Sequence, residues 1–309
     1  MDRGIAVVLH PVHTRGLVEA FSERPDMSLL VADTADDVVD LLEAGAVGLL
    51  TYEWEDRFVC GDLRWVQAMS AGVDQFSQPL LRDRKIVLTS ASGVHTPAVA
   101  EHAIALMMAV VRGIGPAVRG AAERNWNPIR AYEVEGRTMA ILGLGSIGEA
   151  VARKASALGM YVIGTKRDIS DYRGVADEVL PADQTREACR RADILVIALP
   201  GDPSTSSLVG DAELAALGTG WLINVGRGTV VDESALVRAL TDGDLRGAAL
   251  DVTAAEPLPD ASPLWDLPNV IITPHMGWSS DRLAVRLVEI TVANARALHD
   301  GVPWTNRIV

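Results

Sequence analysis

Residues 138–168 read TMAILGLGSIGEAVARKASALGMYVIGTKRD, and this stretch decides the fold. An apolar run at residues 139–142 is followed by a glycine-rich turn, a helical pattern at residues 147–158 and a second apolar run at residues 161–163. Short apolar runs are typical of buried strands, and apolar residues at helical spacing predict an amphipathic helix. The stretch therefore predicts the order strand, turn, helix, strand.

Three glycines shape the predicted turn, Gly143, Gly145 and Gly148. Gly143 permits a tight turn, Gly145 removes a side chain that would block a pyrophosphate, and Gly148 lets the helix pack closely on the strand. The N–H groups at the start of the helix then face the phosphates. A purely structural glycine turn is the alternative. The pattern predicts a dinucleotide site with these cofactor-binding residues: Gly143, Leu144, Gly145, Ser146, Ile147 and Gly148.

The end of the second apolar run indicates which dinucleotide binds. A site for NAD usually has an Asp or Glu about 20 residues after the glycines, where the carboxylate accepts hydrogen bonds from ribose hydroxyls. Lys166 and Arg167 occupy this place. Cations cannot accept those bonds, but they suit the 2′-phosphate of NADP. The sequence therefore predicts NADP and leaves NAD use open, whereas two solvated cations at a strand end are the plainer interpretation.

The composition limits the classes of protein. A chain of 309 residues, 49% hydrophobic and 22% charged, is long enough for two globular domains. The formal charge of −13 argues against a nucleic-acid or anionic-membrane partner, and no apolar stretch approaches the length of a membrane span. Two cysteines, far apart and without metal spacing, are typical of a reducing compartment. We expect a cytoplasmic protein without a bound metal.

Strand and helix patterns alternate along the chain, which predicts parallel sheets with crossover helices. Before the glycine turn, strands are expected at residues 5–9, 28–31, 47–51, 64–69 and 86–88, and helices at residues 15–21, 36–43 and 97–112. Gly113 and Gly115 are expected to end the last of these helices. After the second apolar run, strands are expected at residues 178–180, 194–199, 221–225, 247–250 and 270–273, and helices at residues 183–191, 211–217, 232–240 and 280–299.

This alternation predicts an α/β fold class, with two doubly wound parallel-sheet (Rossmann-like) domains and a cofactor cleft between them. The first hundred residues contain no glycine fingerprint, so that part of the chain is expected to serve the substrate. The last helix is expected to return to it. The predicted domains are a substrate domain of residues 1–96 plus 282–309 and a dinucleotide-binding domain of residues 97–281.

Four polar residues lie at or just after the ends of predicted strands. Arg227, Asp251 and His275 follow strands directly, and Glu256 comes shortly after Asp251. Ligands of open α/β sheets bind beyond the carboxyl ends of the strands, so these side chains should face one crevice. An Arg between two glycines is free to fork onto a carboxylate, and a His beside a Glu can donate a proton. Singly, each could be an ordinary loop residue; together they predict a catalytic site.

At these residues the chain resembles the D-isomer-specific 2-hydroxyacid dehydrogenase family, and the resemblance covers essentially the whole chain. The motifs that carry it are Ser70-Ala71-Gly72-Val73-Asp74, Val99-Ala100-Glu101-His102, the glycine turn at residues 143–148, Asn224-Val225-Gly226-Arg227-Gly228, Asp251-Val252 with Glu256-Pro257, and Thr273-Pro274-His275. The resemblance implies that Arg227 binds the substrate carboxylate and keto oxygen, and that His275 is the acid/base partnered by Glu256.

The resemblance also implies contacts outside this catalytic trio. Asp251 would hold the nicotinamide carboxamide, and the backbone at Ala71 and Gly72 would bind the substrate carboxylate. A homodimer built around the cofactor domain is implied as well. Further cofactor contacts are expected at Leu199, Pro200, Val225 and Gly226.

The Lys166–Arg167 pair departs from NAD-type members of the family and resembles the NADP-preferring glyoxylate and hydroxypyruvate reductases. We therefore expect an NADP(H)-dependent reductase that converts such a small 2-ketoacid to the D-2-hydroxyacid. A phosphoglycerate-type dehydrogenase is the weaker alternative, because the chain ends at Val309 without an added regulatory domain and the first domain has no extra cluster of cations. A dinucleotide-sensing binding protein on the same fold is the other alternative.

Several further side chains are less informative. His102 lies within the long apolar helical pattern and is interpreted as a packed structural histidine. His95, Tyr52 and Trp54 follow predicted strands of the first domain, where either a substrate pocket or a surface loop would suit them. For Trp278, core packing and a place in the substrate pocket are both open.

Overall fold

The computed structural model describes residues 5–10, 17–22 and 27–309, and the chain divides into two compact units. The first unit comprises Met1–His95 and Ser280–Val309, and the second comprises Thr96–Ser279. Each contains one parallel sheet with crossover helices, so the predicted α/β Rossmann-like fold class is confirmed.

In its described residues, the first unit begins with five strands that alternate with three short helices. Its strands are β1 (Ile5–Leu9), β2 (Met27–Val31), β3 (Gly48–Thr51), β4 (Trp65–Ala68) and β5 (Val87–Thr89), and its helices are α1 (Leu17–Ser22), α2 (Ala35–Glu43) and α3 (Gln78–Asp83). All strands pair in parallel, in the order β2-β1-β3-β4-β5. The five predicted strands are confirmed to within one residue at each end.

Two helices of this unit differ from expectation. The predicted helix at residues 15–21 is observed as α1, but its first two residues lie outside the described part of the chain. Helix α3 was not predicted. It has only six residues and begins at Gln78-Pro79, so it is too short to show a helical period.

The second unit holds a larger sheet. Its helices are α4 (Thr96–Val111), α5 (Ile114–Ala122), α6 (Ser146–Ala157), α7 (Thr185–Arg191), α8 (Asp211–Leu217) and α9 (Glu233–Asp242). Its strands are β6 (Thr138–Leu142), β7 (Tyr161–Lys166), β8 (Glu178–Pro181), β9 (Ile194–Ile197), β10 (Trp221–Asn224), β11 (Gly247–Leu250) and β12 (Val270–Ile272). The strand order is β12-β11-β10-β9-β6-β7-β8, so the chain reverses its winding direction between β6 and β9.

Burial explains why the strands of the second unit are short and continuously apolar. Every residue of β9, β10 and β11 is buried, because helices cover both faces of the sheet. Along β6, Met139 and Ile141 pack in one core cluster with α4 and α6, whereas Ala140 and Leu142 pack in the other with α7, α8 and α9. Successive residues of β6 thus pack into the cores on opposite faces of the sheet.

Helix α5 corrects one expectation. Gly113 does end α4, and it adopts a left-handed conformation with φ of +68°. Gly115, which was expected to help end the helix, instead lies inside α5. Within the described residues no single helix is long and apolar enough to cross a membrane; only α4 and α5 together meet that composition, and they bend by 69° where they meet.

The last helix, α10 (Leu283–Asp300), belongs to the first unit. It begins three residues later than predicted and packs Leu287, Val288 and Val292 against the β-sheet core. Asn294 is completely buried on this helix, and its amide donates to Gln67 on β4 at 2.8 Å. This polar contact links the last helix to strand β4.

The two free cysteines differ in burial, and this yields a prediction. Burial raises the pKa of the Cys189 thiol to about 12, so on the order of 10⁻⁴ of it is thiolate at pH 8. Cys60 is only partly buried, and the same effect raises its pKa less. A disulfide reagent should label Cys60 slowly in the native protein and Cys189 only after unfolding. Cys60→Ser protein should show no native labelling, and labelling of Cys189 in folded protein would contradict this account.

Candidate functional site

The turn between β6 and α6 is built by close backbone contacts. Gly143 has φ of +97°, a conformation that favours glycine. A Cβ on Gly148 would lie 2.0 Å from the carbonyl oxygen of Gly143, so only glycine lets α6 begin this close to the turn. A Cβ on Gly145, in contrast, would meet no atom within 4 Å. The turn therefore leaves an open surface without a side chain at the start of a twelve-residue helix, and this surface suits a phosphate.

This turn lies at the point where the sheet reverses its winding, which is where ligands of open α/β sheets bind. The loop after β9 reaches the same point: a Cβ on Gly143 would be 2.8 Å from Cδ2 of Leu199. The structure thus brings the predicted glycine turn and Leu199 together. The geometry fits a dinucleotide on two counts, the open position at Gly145 and the uncapped helix start.

The predicted cations stand beside the glycine turn. The Lys166 ammonium donates to the carbonyl oxygen of Leu144 at 3.0 Å. Arg167 is largely exposed, and its Nη2 donates to Oδ2 of Asp202 at 3.0 Å. Hydrogen bonds from Ser204 and the positive charge of Arg167 lower the pKa of Asp202. Asp202 was missed by the sequence analysis, although its place after β9 puts it at the same edge of the sheet.

The loop after β10 holds Arg227. Asn224, at the end of the strand, is buried; its Oδ1 accepts from the N–H of Gly226 and its Nδ2 donates to the carbonyl oxygen of Arg227, both at 3.0 Å. These bonds hold the backbone of the loop. The Arg227 side chain is exposed, and Nη1 donates to the carbonyl oxygen of Gly226 at 2.9 Å. Its guanidinium is accessible to an anionic ligand.

His275 and Glu256 are brought together by the loops after β12 and β11. Nδ1 of His275 lies 2.7 Å from Oε2 of Glu256, and Oε1 of Glu256 accepts from the N–H of Thr253 at 3.2 Å. A carboxylate only accepts, so Nδ1 carries the proton and Nε2 is the nitrogen that can exchange a proton with a ligand. Both side chains are about half exposed. The pair can therefore act as a carboxylate-supported acid/base.

Asp251 is almost completely buried, at 4% exposure. Its Oδ1 accepts from the N–H of Met276 at 3.0 Å and from the hydroxyl of Thr273 at 2.6 Å, and its Oδ2 accepts from the N–H of Gly277 at 2.9 Å. The expected candidate residue thus holds the backbone just after His275. His102 also reaches this carboxylate, a contact that its interpretation as a packed histidine did not include.

Several of the remaining candidates belong to the first unit. Ala71 and Gly72 lie in an exposed loop of the first unit, where Ser70 donates to the carbonyl oxygen of Gly72 at 2.6 Å. In the same unit, Trp54 packs against Phe58 and Phe76, whereas the Tyr52 side chain is exposed.

In the second unit, Trp278 is about half exposed on the His275 loop, and so is Met276. Among the described residues there is no group of three or more His, Cys, Asp and Glu side chains that could hold a metal ion.

Comparison with known proteins identifies the family of this chain. Residues 104–277 match the sequence model of the D-isomer specific 2-hydroxyacid dehydrogenase, NAD binding domain. A glycerate dehydrogenase of Methylorubrum extorquens is 31% identical over 87% of this chain and 88% of its own length. A D-3-phosphoglycerate dehydrogenase of Methanocaldococcus jannaschii is 34% identical over 71% of this chain, which covers 42% of that protein.

Among solved structures, an NADPH-dependent glyoxylate/hydroxypyruvate reductase of Sinorhizobium meliloti is 29% identical, with a TM-score of 0.81 over 98% of both chains. The matched region includes the glycine turn, Arg227, Asp251, Glu256 and His275. This chain therefore belongs to the D-isomer-specific 2-hydroxyacid dehydrogenase family and is an oxidoreductase that acts on a CH–OH group, or reduces the corresponding 2-ketoacid, with a nicotinamide dinucleotide as its cofactor.

Proposed function

We propose that the protein is an NADP(H)-dependent reductase of a small 2-ketoacid, glyoxylate or hydroxypyruvate, and that its product is the D-2-hydroxyacid. The observation that carries the proposal is the pair of cations, Lys166 and Arg167, placed beside the glycine turn where an NAD site has a carboxylate. The Sinorhizobium meliloti relative, an NADPH-dependent reductase of these two ketoacids, supports it. So does the glycerate dehydrogenase, because oxidation of glycerate at its 2-hydroxyl yields hydroxypyruvate.

The open position at Gly145 and the start of α6 would receive the pyrophosphate. Leu199, Pro200, Val225 and Gly226 lie in the loops after β9 and β10 and would line the rest of the cofactor site. Oδ2 of Asp251 accepts a hydrogen bond from the N–H of Gly277 and, as a carboxylate oxygen, has capacity for an amide N–H of the nicotinamide carboxamide as well.

In this proposal two anions compete for Arg167, the Asp202 carboxylate and the 2′-phosphate of NADP. Its partner Asp202 carries one negative charge and meets it at the surface, where ion pairs contribute little to stability. The 2′-phosphate carries nearly two charges and offers three acceptor oxygens. We therefore expect the phosphate to displace Asp202 from Arg167, at some loss of affinity.

The reduced nicotinamide supplies a hydride to the carbonyl carbon. Nε2 of His275 would donate the proton to the carbonyl oxygen, and Glu256 at Nδ1 would orient the ring and stabilise its positive charge. Arg227 would bind the substrate carboxylate and polarise the keto oxygen. The backbone at Ala71 and Gly72 would provide further donors to the carboxylate. Protein side chains thus provide the proton, the charge and the orientation.

We also propose a division of labour between the units and a homodimer. Residues 1–96 plus 282–309 would form the substrate domain and residues 97–281 the cofactor domain. Side chains on and after α5 support a self-association surface there, since Ile114, Val118 and Trp126 are 50%, 64% and 96% exposed. The two free thiols support a reducing compartment such as the cytoplasm.

A phosphoglycerate-type dehydrogenase is the second candidate, because a protein of that name matches 71% of this chain. Glycerate and 3-phosphoglycerate differ by a phosphate, so turnover measured with each of them distinguishes the two candidate functions. Turnover of 3-phosphoglycerate that exceeds turnover of glycerate would favour the second candidate.

The cofactor proposal is tested by replacing both cations. Wild-type protein should reduce glyoxylate or hydroxypyruvate better with NADPH than with NADH. In the double variant Lys166→Gln/Arg167→Gln, kcat/KM with NADPH should fall about tenfold to a hundredfold for each charged hydrogen bond lost to the phosphate. The kcat/KM with NADH should not change. Lys154→Gln, which neutralises a lysine of α6 paired with Glu101, is the matched control. A wild-type preference for NADH would contradict the proposal.

The two glycines of the turn should separate folding from binding. Gly145→Ala places its Cβ in open space, so the melting temperature should stay unchanged while the Kd for the dinucleotide rises about tenfold or more. Gly148→Ala forces a backbone contact and should cost about 1–3 kcal/mol of stability. Calorimetry and cofactor fluorescence measure both quantities. Equal melting temperatures for the two variants would refute the packing argument, and unchanged dinucleotide binding in Gly145→Ala would refute the phosphate position.

The polar side chains should differ in their kinetic effects. His275→Ala should lower kcat by roughly 10²- to 10⁴-fold with dinucleotide binding intact, because a positioned acid acts on the chemical step. Arg227→Ala should raise KM and lower kcat together, since it meets the carboxylate in the ground state and the oxyanion in the transition state. Glu256→Gln should lower kcat less than His275→Ala does. Full turnover by His275→Ala would show that this residue is structural. Wild-type protein that binds the dinucleotide but turns over no 2-ketoacid would instead be a dinucleotide-sensing binding protein.

A further inference from the structure

His102 occupies an unusual place for a histidine of an apolar helix. It lies on α4, and its side chain is 18% exposed. Its Nε2 lies 2.9 Å from Oγ1 of Thr273 and 3.1 Å from Oδ1 of Asp251, residues that follow β12 and β11. The ring therefore meets the two polar side chains that precede and support the His275 loop.

The direction of these hydrogen bonds follows from the chemistry of the groups. The Asp251 carboxylate only accepts, so the Thr273 hydroxyl, 2.6 Å away, donates its single proton to it. The Thr273 oxygen is then left as an acceptor toward His102. Both neighbours of Nε2 thus require a proton on that nitrogen. His102 is held as a donor to Asp251 and Thr273 at once.

Asp251 transmits this support to the backbone around His275. Its side chain accepts from the N–H groups of Met276 and Gly277, and its own carbonyl oxygen accepts from the N–H of His275 at 2.8 Å. His275 itself has φ of +48°, a left-handed conformation that a residue with a side chain adopts only when its surroundings hold it. A buried carboxylate in turn needs its hydrogen-bond donors. The series runs from His102 through Asp251 to the backbone of His275.

We propose that His102 is a positioning residue for the reaction: its Nε2–H holds Asp251 and Thr273 in one arrangement, and through them the loop that directs His275 at the substrate. The inference rests on the proposed acid/base role of His275. It assigns to His102 a role as hydrogen-bond donor, which apolar packing of α4 would not require. A neighbour that only fills space could be replaced by any side chain of similar size.

Three variants separate positioning from packing. His102→Leu keeps apolar bulk but has no donor, whereas His102→Gln places an amide N–H at a similar distance from the backbone. Thr273→Val keeps the shape of Thr273 and removes the hydroxyl that His102 meets. We expect His102→Leu and Thr273→Val to lower kcat about tenfold or more with less than twofold change in the KM for the ketoacid, and His102→Gln to restore most of the rate.

A second readout does not depend on turnover. The proton on Nδ1 of His275, shared with Glu256, should give a low-field proton NMR signal that is absent in His275→Ala. It should persist in His102→Gln and broaden or shift in His102→Leu and Thr273→Val. This signal tests the inference even if the wild-type protein reduces no 2-ketoacid, an outcome that would overturn the proposed function alone.

Two results would overturn the inference. One is wild-type kcat and an unchanged low-field signal in both His102→Leu and Thr273→Val. The other is an equal fall in kcat for His102→Leu and His102→Gln accompanied by an equal loss of melting temperature, which is the behaviour of a packing residue. If His102→Leu does not fold, Thr273→Val and His102→Gln decide the question by the same two measurements.

Discussion

The candidate site depends on the parallel pairing of the seven strands in the second unit. Parallel strands all end at the same edge, so loops that are far apart in the chain are gathered there. The glycine turn after β6, Arg227 after β10, Asp251 after β11 and His275 after β12 all sit on this edge. Without that pairing, Glu256 could not lie 2.7 Å from His275. The same geometry leaves the opposite edge without any of these residues.

The ligands proposed for this edge are negatively charged, and so is the protein itself, whose formal charge is −13. A 2-ketoacid and a dinucleotide are both anions, so the overall field opposes them and local cations must attract them. Lys166, Arg167 and Arg227 are cations at the edge, and each already donates to a protein acceptor: the Leu144 carbonyl, the Asp202 carboxylate and the Gly226 carbonyl, respectively. Their long side chains are thereby ordered before a ligand arrives, which lowers the entropy cost of binding.

Much of this arrangement could be predicted from the sequence, because local patterns determine it. Apolar runs located the strands, and glycine spacing located the turn between β6 and α6. Contacts set by tertiary structure were missed: Asp202 meets Arg167 across 35 positions, and His102 meets Asp251 across 149. Neither contact leaves a periodic or spacing signal. Helix α3 was missed for a different reason, since six residues are fewer than two helical turns.

The backbone of His275 has a consequence for how this protein could be changed by selection or design. A left-handed residue other than glycine carries about 1–2 kcal/mol of strain, so the fold gives up stability at His275, the proposed acid/base. Glycine there would relieve the strain and remove the imidazole in the same step. A search for heat-resistant variants that scores stability alone would therefore favour loss of the imidazole at this position. Stability gained elsewhere in the chain is what allows the strained histidine to be kept.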